Sequence, residues 1–297
     1  MTGERPVRLR ERAPGKVNLC LFVGPVRPSD GRHELVSVMQ SVTLADDLVL
    51  EPAPPGAPGD EVICPGVRGP NLAAEALAAF RAATRWDGPP VRLTIAKRVP
   101  VAAGLGGGSG DAAAALRLAA RAAGIDDDAL LARLAAGLGA DVPAQVRPGR
   151  ALATGAGEDV RALPPGPPLG LLVLPAAEPL STAAVYREAD RLDLPRPAED
   201  LAARRGAVED ALRDGADLPP DLLVNDLEPA ARALAPFIDA ARAEAARAGA
   251  DHVMVAGSGP TVVGLFAGAD GPERARRAAA GLAGRTPAAV GCEAVRA

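Results

Sequence analysis

Lys16 and Asn18 are the first residues of the chain whose types and spacing could carry chemistry. They stand two positions apart in APGKVNLCL, residues 13–21. Side chains two apart in a β-strand share a face, which would leave Val17 and Leu19 facing the core. An ammonium beside an amide suits the polarisation of a hydroxyl or a carboxylate. Taken alone, the pair fits an exposed strand face equally well.

A glycine-rich stretch, VAAGLGGGSGDAAAAL at residues 101–116, has five glycines between Gly104 and Gly110. It lacks the third glycine and the acidic residue of a dinucleotide-binding turn, and it lacks the lysine of a Walker A loop. It predicts a different phosphate site, because the helix that follows offers unpaired N–H groups and the positive end of its dipole. A flexible linker is the weaker alternative, since a predicted strand and a predicted helix bracket the stretch closely.

Polar residues flank this glycine stretch. Ser109 could add a hydroxyl to a phosphate or to a metal ion, and Asp111 is predicted to cap the helix. Lys97, just before the stretch, is expected near the phosphates or the base of a ligand, whereas Arg98 fits a solvated strand end. The chemistry predicted here is therefore phosphate binding.

Asp141 lies in GLGADVPAQVRPG, residues 137–149, between Gly139 and Pro143. This setting predicts a helix end or a tight turn, where a carboxylate can accept a proton from a hydroxyl. From this stretch alone a helix-capping role is the favoured interpretation. Another stretch, AGSGPTVVGLF at residues 256–266, is a small-residue turn between strands and on its own fits a plain β-turn.

The composition is that of a globular protein. Of the 297 residues, 48% are hydrophobic and 24% charged, and the net charge of −4 argues against a nucleic-acid partner. The three cysteines show no spacing typical of disulfides or zinc. We find no signal-peptide pattern, and the longest apolar run, 253–269, is too broken to span a membrane. A cytoplasmic protein without a membrane partner is predicted.

The elements that must position these residues alternate irregularly, which favours an α+β fold over a doubly wound sheet. A proline-rich break at 164–168 predicts two domains, 1–163 and 164–297. Periodicity predicts strands at 7–12, 16–23, 34–44, 47–51, 91–96, 149–154, 169–174, 252–256 and 261–266. It predicts helices at 71–84, 110–123, 126–138, 181–192, 227–248 (interrupted at Pro236) and 273–283, with one further helix in the polar segment 193–220.

Together these motifs carry a family resemblance. APGKVNLCL, GLGGGSGDAAAAL and GSGPTVVGL, in this order, resemble the three motifs of the GHMP kinase superfamily. DGRHEL, PNLAAEA and LGADVPAQVRPGRALATGAGE are similar to the branch that phosphorylates a cytidylyl methylerythritol in non-mevalonate isoprenoid synthesis. The resemblance covers nearly the whole chain. It implies a two-domain α+β kinase with its active site in the cleft between domains, using ATP and Mg²⁺ on a small-molecule substrate, as a monomer or homodimer.

The resemblance also implies roles for individual residues. Lys16 and Asp141 match the catalytic pair, in which the aspartate takes the hydroxyl proton and the lysine keeps it ionised and steadies the developing charge. Asn71 and Lys97 match positions near the adenine and ribose, and Ser109 is the best candidate for a metal ligand. On the substrate side stand Asn18, His33 at the cytosine edge, Tyr186 stacking on cytosine, and Thr182 beside it. The ATP-phosphate loop corresponds to Pro100, Val101, Ala102, Ala103, Gly104, Leu105, Gly106, Gly107, Gly108, Ser109 and Gly110.

Two positions depart from the family pattern. Arg32 replaces the usual tyrosine of the cytosine-binding clamp. A guanidinium can also stack on a base. The alternatives are weaker cytidine binding or an altered substrate preference. Gly110 stands where the family usually has serine or alanine, which is expected to loosen the helix start.

Other functions remain open at this point. The first alternative is another GHMP small-molecule kinase. This alternative is disfavoured by the presence of His33, Tyr186 and Asp141, and it is favoured by Arg32. A non-catalytic nucleotide-binding relative is the second, and it predicts the loss of Lys16 or Asp141, both of which are present.

Overall fold

The computed structural model describes residues 8–296, apart from the side chain of Asp214. Val7, where the first predicted strand begins, lies outside these residues. The chain folds into two compact units. The first contains the described part of Met1–Gly15, together with Leu44–Val101 and Gly106–Arg147; the second contains Lys16–Thr43, Ala102–Leu105 and the described part of Pro148–Ala297. The predicted sequence domains 1–163 and 164–297 stay a prediction.

Strands and helices are mixed along the described chain, as the α+β prediction requires. The strands are β1 (Leu9–Val26), β2 (His33–Pro52), β3 (Glu61–Ile63), β4 (Val91–Ala96), β5 (Arg150–Thr154), β6 (Asp159–Leu163), β7 (Leu169–Leu174), β8 (His252–Val255), β9 (Val262–Ala267) and β10 (Val290–Glu293). The helices are α1 (Leu72–Thr84), α2 (Gly107–Ala123), α3 (Asp128–Leu138), α4 (Val142–Val146), α5 (Thr182–Arg191), α6 (Ala198–Ala211), α7 (Glu228–Leu234), α8 (Ile238–Arg247) and α9 (Gly271–Gly281).

The first unit packs helices on a short sheet. The end of β2 pairs antiparallel with β4, so that Leu48 faces Ile95 and Leu50 faces Leu93, and β3 pairs parallel with β4. These four side chains join the buried face of α2 in one hydrophobic core. Ala112–Ala115 are fully buried, because alanine lets a helix approach its neighbours closely on several faces. The start of α2 is therefore fixed by core packing.

The second unit contains a four-stranded antiparallel sheet in the order β10-β7-β9-β8. The central strand β7 is buried throughout, which explains its uninterrupted apolar sequence. In the same unit the first part of β2 pairs with β5, and β5 pairs with β6. The turn between β8 and β9 carries the GSGP sequence, and this sheet therefore holds that turn.

Most predicted elements are present, but the predicted strands 7–12 and 16–23 form one continuous strand, β1, and the predicted strands 34–44 and 47–51 form β2. β1 continues through Pro14, whose carbonyl accepts a hydrogen bond from the Gln145 side chain at 3.0 Å. β2 continues through Asp46, whose carboxylate is buried. The short strands β3, β6 and β10 were not predicted, because their partly exposed residues show no clear alternation.

Two further expectations concern the membrane and the cysteines. Within residues 8–296, no helix has both the length and the apolar character to cross a bilayer. Among the described residues Cys20, Cys64 and Cys292 form no disulfide, and Cys20 and Cys292 are buried.

Candidate active site

Lys16 begins a chain of buried hydrogen bonds in the second unit. Its Nζ donates to Asn18 Oδ1 at 2.8 Å, and Asn18 Nδ2 donates to Ser37 Oγ at 2.7 Å. Ser37 in turn donates to the Cys20 carbonyl at 2.7 Å. Lys16 and Asn18 are 5% and 3% exposed, so the predicted shared strand face is buried and the exposed-face alternative is wrong. This chain fixes the ammonium, because each polar atom named has a defined partner.

Three separated sequence motifs meet around Lys16. The Lys16 N–H donates to the Leu105 carbonyl at 2.8 Å, which joins the first motif to the glycine stretch. A Cβ on Gly257, in the third motif, would lie 3.4 Å from Asn18 Oδ1 and 3.8 Å from Lys16 Nζ. A Cβ on Gly104 would lie 2.4 Å from the Ala256 carbonyl oxygen. Gly104 leaves no room for a Cβ, because the Ala256 carbonyl oxygen is a backbone atom, and both glycines have the positive φ that favours glycine.

Asn225 holds the third motif in place and was not identified from the sequence. Its Nδ2 donates to the Val255 carbonyl at 2.8 Å and to the Gly257 carbonyl at 2.7 Å. Beside it, Thr182 Oγ1 and Ser258 Oγ lie 2.9 Å apart, which connects α5 to the same turn. The sequence signal was the polar Asn-Asp pair before the helical segment at 227–248, in a stretch otherwise rich in leucine and valine.

His33 and Tyr186 form a second group in this unit. Their rings are stacked with centroids 5.4 Å apart and planes at 29°. His33 Nδ1 lies 2.8 Å from the Gly24 carbonyl, and Nε2 lies 3.2 Å from Asp190 Oδ1. Arg32 is exposed, and its guanidinium donates to the Ala156 carbonyl at 2.7 Å. The structure therefore brings two of the predicted substrate residues together and gives Arg32 a backbone partner.

The start of α2, where the sequence predicts an anion site, lies in the first unit. Helix α2 begins at Gly107, three residues earlier than predicted, because Gly106 takes the left-handed conformation (φ 63°) at its N-cap. Within the described residues no side-chain capping bond is made there, so the prediction that Asp111 caps the helix is wrong. The first-turn N–H groups of this 17-residue helix, which include that of Ser109, form the positive end of the helix dipole. This arrangement suits a phosphate group.

An ion cluster lies against the first turn of α2. It consists of Lys97, Asp46 and Asp111. Lys97 Nζ donates to Asp46 Oδ2 at 2.5 Å and to Asp111 Oδ2 at 2.7 Å. Asp46 is fully buried and also accepts from the backbone N–H groups of Arg98 and Val99. A Cβ on Gly107 would lie 3.3 Å from Lys97 Nζ, which places the ammonium against the first turn of α2.

The ionisation of this cluster follows from its burial. Burial lowers the pKa of Lys97, but the hydrogen bonds to Asp111 and Asp46 outweigh it, and the net shift is upward. Burial raises the pKa of the Asp111 carboxyl by more than Lys97 lowers it. Within the described residues, Asp111 Oδ1 is buried without a hydrogen-bond partner. The lysine is thus held as a cation whose charge is shared with two carboxyl groups.

Two further predicted residues of the first unit, Asn71 and Asp141, stand at the starts of helices. Asn71 is the N-cap of α1, as predicted, and its Oδ1 accepts from Ala73 N at 2.9 Å. Asp141 stands at the N-cap position of α4, and within the described chain no side chain makes a capping bond there. The helix-capping interpretation of Asp141 is therefore wrong. Gly110 lies inside α2, where a Cβ would come within 2.7 Å of the Pro14 carbonyl oxygen.

Comparison with known protein families identifies the family of this chain. The model of the GHMP kinase N-terminal domain matches residues 71–149, which include the glycine stretch and Asp141. The model of the GHMP kinase C-terminal domain matches residues 200–284, which include the GSGP turn. The chain belongs to the GHMP kinases. The fold prediction is thereby confirmed, and ATP use follows from membership of this family.

Similar proteins of known name indicate the branch of the GHMP kinases to which the chain is related. A protein of Streptomyces coelicolor, 4-diphosphocytidyl-2-C-methyl-D-erythritol kinase, is 41% identical over 96% of this chain and 94% of its own length. The crystal structure of a 4-(cytidine 5'-diphospho)-2C-methyl-D-erythritol kinase superposes with a TM-score of 0.76 at 34% identity, over 96% of this chain and 99% of that one. A homoserine kinase from Cytophaga hutchinsonii, at 17% identity and a TM-score of 0.69 over 100% of this chain and 97% of that one, shares the fold. The branch predicted from the sequence is therefore confirmed.

Proposed function

We propose that the protein transfers the γ-phosphoryl group of ATP to the 2-hydroxyl of 4-(cytidine 5'-diphospho)-2-C-methyl-D-erythritol, giving the 2-phosphate and ADP. This reaction belongs to non-mevalonate isoprenoid precursor synthesis. The observation that carries the proposal is the meeting of three kinase motifs at Lys16, in a chain 41% identical to a kinase named for this substrate. An uncapped helix start beside the glycine stretch supports ATP as the phosphoryl donor.

The residues act mainly by alignment and charge. The substrate hydroxyl oxygen forms a bond to the γ-phosphorus, the bond from that phosphorus to the β–γ bridging oxygen breaks, and the electron pair leaves with ADP. Asp141 accepts the hydroxyl proton, and the Lys16 ammonium stabilises the developing negative charge. A phosphoryl transfer with a loose transition state requires little more than this positioning and charge stabilisation. Because Asn18 fixes the Lys16 ammonium at 2.8 Å, that charge is already oriented before substrate binds.

The phosphate loop and its metal ion form the other half of the proposal. The predicted phosphate loop, Pro100–Gly110, would bind the ATP phosphates. Asn71 and Lys97 would lie near the adenine and ribose. Mg²⁺ is usually bound by one or two protein oxygens together with substrate phosphates, and Ser109 in the first turn of α2 is the hydroxyl that fits this role. When bound, Mg²⁺ supplies neutralisation of phosphate charge. Within residues 8–296, no three histidine, cysteine, aspartate or glutamate side chains form a metal-binding group.

Tyr186, Thr182, Asn18 and the segment with Arg32 and His33 would bind the cytidylyl substrate. We also propose that the protein acts in the cytoplasm as a monomer or homodimer, without a nucleic-acid or membrane partner. Another GHMP small-molecule kinase is the second candidate function. It is favoured by Arg32, whose guanidinium binds the Ala156 carbonyl at 2.7 Å where the family usually has a tyrosine.

Coupled measurement of ADP release separates the two candidates. Purified protein with ATP and Mg²⁺ is given the cytidylyl substrate, mevalonate, homoserine, galactose or no acceptor. We expect turnover with the cytidylyl substrate alone. Turnover with a different acceptor would contradict the proposed substrate but not the kinase mechanism. Hydrolysis of ATP at an equal rate without acceptor would contradict both candidate functions.

The role of Asp141 has its own test. Asp141→Ala is expected to retain ATP binding, measured by calorimetry with a non-hydrolysable analogue, and to lower kcat by about 10²–10⁴-fold, the usual contribution of a general base. Asp128→Asn is the matched control, because Asp128 pairs with Arg147 on the surface of the same unit, with side chains 60% and 70% exposed. Turnover of Asp141→Ala near that of the control would exclude Asp141 as the base.

A further inference from the structure

The short helix α4 carries the proposed catalytic base at its start. Asp141 stands at the N-cap position, and the five residues Val142–Val146 form the helix. A helix of five residues has too few internal hydrogen bonds to offset the cost of nucleation, so tertiary contacts must determine where it lies. Four of the five residues are buried, and the helix packs against α2 and α3. The position of Asp141 therefore depends on what holds α4.

Gln145 connects α4 to the first strand. It is 1% exposed, and its Nε2 donates to the Pro14 carbonyl oxygen of β1 at 3.0 Å. A Cβ on Gly110 of α2 would lie 2.7 Å from the same carbonyl oxygen and 3.7 Å from Gln145 Nε2. Strand β1 and helices α2 and α4 therefore meet at one backbone oxygen, and the Gln145 amide is the group that α4 contributes there.

Arg117 of α2 holds the last turn of the same helix. Its Nη1 donates to the Gln145 carbonyl at 2.7 Å and to the Val146 carbonyl at 3.2 Å. The last carbonyls of a helix have no partner within it, and a cation there also interacts favourably with the helix dipole. Nη2 of this guanidinium donates to the Arg12 carbonyl of β1 at 3.3 Å. Arg117 therefore joins the C-terminal end of α4 to both α2 and β1.

The distance from these contacts to the carboxylate of Asp141 is short. Asp141 and Gln145 are four residues apart, about one helical turn or about 6 Å along the axis. A shift at the Gln145 end of α4 is therefore passed on to Asp141. Phosphoryl transfer depends on alignment, and a misplacement of about 1 Å can lower the rate about 100-fold, so a small shift of α4 is enough to slow the chemical step.

We infer that Gln145 is a positioning residue for phosphoryl transfer, which acts together with Arg117 to hold Asp141 through α4. This inference rests on the proposed function, in which Asp141 accepts the proton of the substrate hydroxyl. Neither Gln145 nor Arg117 has to contact ATP or the acceptor for this role. Loss of either set of contacts should lower kcat and leave both KM values nearly unchanged, because the proposed binding residues stand on other elements.

The experiment is steady-state kinetics on a matched pair of variants. The chain has two glutamines, and both are buried. Gln40 also donates from its side-chain amide to backbone carbonyls, those of Ser41 at 2.9 Å and Val295 at 3.0 Å. Gln145→Met and Gln40→Met thus remove the same kind of hydrogen bond and keep an unbranched side chain. We expect kcat to fall about tenfold in Gln145→Met alone, less than for a full 1 Å misplacement, with each KM within twofold of the wild type.

Arg117→Lys is the second variant, and it decides the question where Gln145→Met does not fold. Lysine keeps the positive charge but lacks the planar guanidinium that bonds several carbonyls at once. Its kcat should also fall while both KM values stay within twofold. Urea unfolding shows which variants are folded under the assay conditions. A kcat in the folded variants equal to that of Gln40→Met would overturn the inference.

A double-mutant cycle shows whether the effect passes through Asp141. In an Asp141→Ala background, Gln145→Met should not lower the residual kcat further, because the group that it positions is absent. An equal fall of kcat in both backgrounds would mean that Gln145 acts on the fold as a whole, and the inference would be wrong.

Hydrogen exchange without ligands separates this inference from the proposed function. Exchange of backbone amides reports how firmly a segment is held. By mass spectrometry, residues 139–148 should exchange faster in Gln145→Met than in the wild type or in Gln40→Met. Unchanged exchange would overturn the inference even where the wild type phosphorylates the cytidylyl substrate. Faster exchange, in a protein whose wild type does not phosphorylate that substrate, would contradict the proposed function and support the anchoring of α4 by Gln145.

Discussion

At the scale of single residues, the Lys97 ion cluster gives a lysine beside the proposed phosphate site a structural role. Two of its three ammonium hydrogens are donated to Asp46 and Asp111. A buried carboxylate is costly without a cation, so removal of Lys97 leaves uncompensated charge in the core of the first unit. The direct contact to adenine or ribose implied by the resemblance stays a prediction.

Lys97→Met tests this structural role. We expect the free energy of unfolding to fall by about 3 kcal/mol or more, as when one partner of a buried pair is removed. Arg98→Met is the matched control at the next residue, because its pair with Asp47 has side chains 65% and 41% exposed. The control should cost less than about 1 kcal/mol in urea unfolding. Equal losses in the two variants would refute a special role for Lys97.

The cysteines provide a residue-scale prediction from pKa shifts. Burial raises the pKa of the Cys20 thiol to about 12, so almost no thiolate forms at pH 8. Burial also raises the pKa of Cys64, which is only partly covered. Iodoacetamide at pH 8 should therefore label Cys64 slowly in the folded protein and leave Cys20 and Cys292 unmodified, with all three labelled in urea. Mass spectrometry of the native protein that found Cys20 labelled as fast as Cys64 would contradict the buried position of β1.

At the scale of elements, the start of α2 is set by backbone contacts more than by helix propensity. Gly110 departs from the family pattern and was expected to loosen the helix. The structure gives a reason for glycine there, since a Cβ would lie 2.7 Å from the Pro14 carbonyl oxygen, a backbone atom that cannot turn away. Gly110, which has a low helix propensity, is therefore required by the close packing of α2 against β1.

Gly110→Ala and Gly137→Ala are predicted to have opposite effects. The first should destabilise by about 1–3 kcal/mol, because overpacking outweighs the better helix propensity of alanine. The second, at an exposed position of α3 with nothing within 4 Å of its Cβ, should stabilise by about 0.5–1 kcal/mol. Thermal and urea unfolding of the two variants measures both signs. Stabilisation by Gly110→Ala would mean that β1 and α2 do not approach as described.

At the scale of the whole molecule, the function requires two ligands bound by different residues. A ligand that binds only the folded protein stabilises it by about 2.7 kcal/mol at a concentration 100 times its dissociation constant. The proposed nucleoside contacts of ATP and the proposed cytosine contact involve separate side chains. Each ligand should therefore raise the unfolding temperature independently.

Tyr186→Ala separates the two ligands in a thermal-shift measurement. Stabilisation by cytidine diphosphate should be largely lost, because base stacking on an aromatic ring contributes about 1–3 kcal/mol. Stabilisation by a non-hydrolysable ATP analogue with Mg²⁺ should remain. Loss of both shifts, or of the ATP shift alone, would remove Tyr186 from the cytosine site.

Much of the fold was predictable from the sequence because its signals are local. The N-cap Asn71, the buried strand β7 and the helical period of α5 each depend on neighbouring residues, and each was predicted close to its observed bounds. The three motifs, in their order, likewise indicated the family. Composition, capping and periodicity need no knowledge of distant contacts.

Other features were decided by the tertiary structure alone. Asp46, Asn225 and Asp190 gave no spacing signal for their long-range contacts, which join them to groups 51, 30 and 157 residues away along the chain. β1 passes through Pro14, whose carbonyl oxygen accepts a hydrogen bond from the distant Gln145 side chain and leaves no room for a Cβ at Gly110. The sequence by itself determined the family, the main elements and the candidate chemical groups. Which of those groups are buried, paired and held toward one another depends on long-range packing, since burial and charge pairing exist only once the chain has folded.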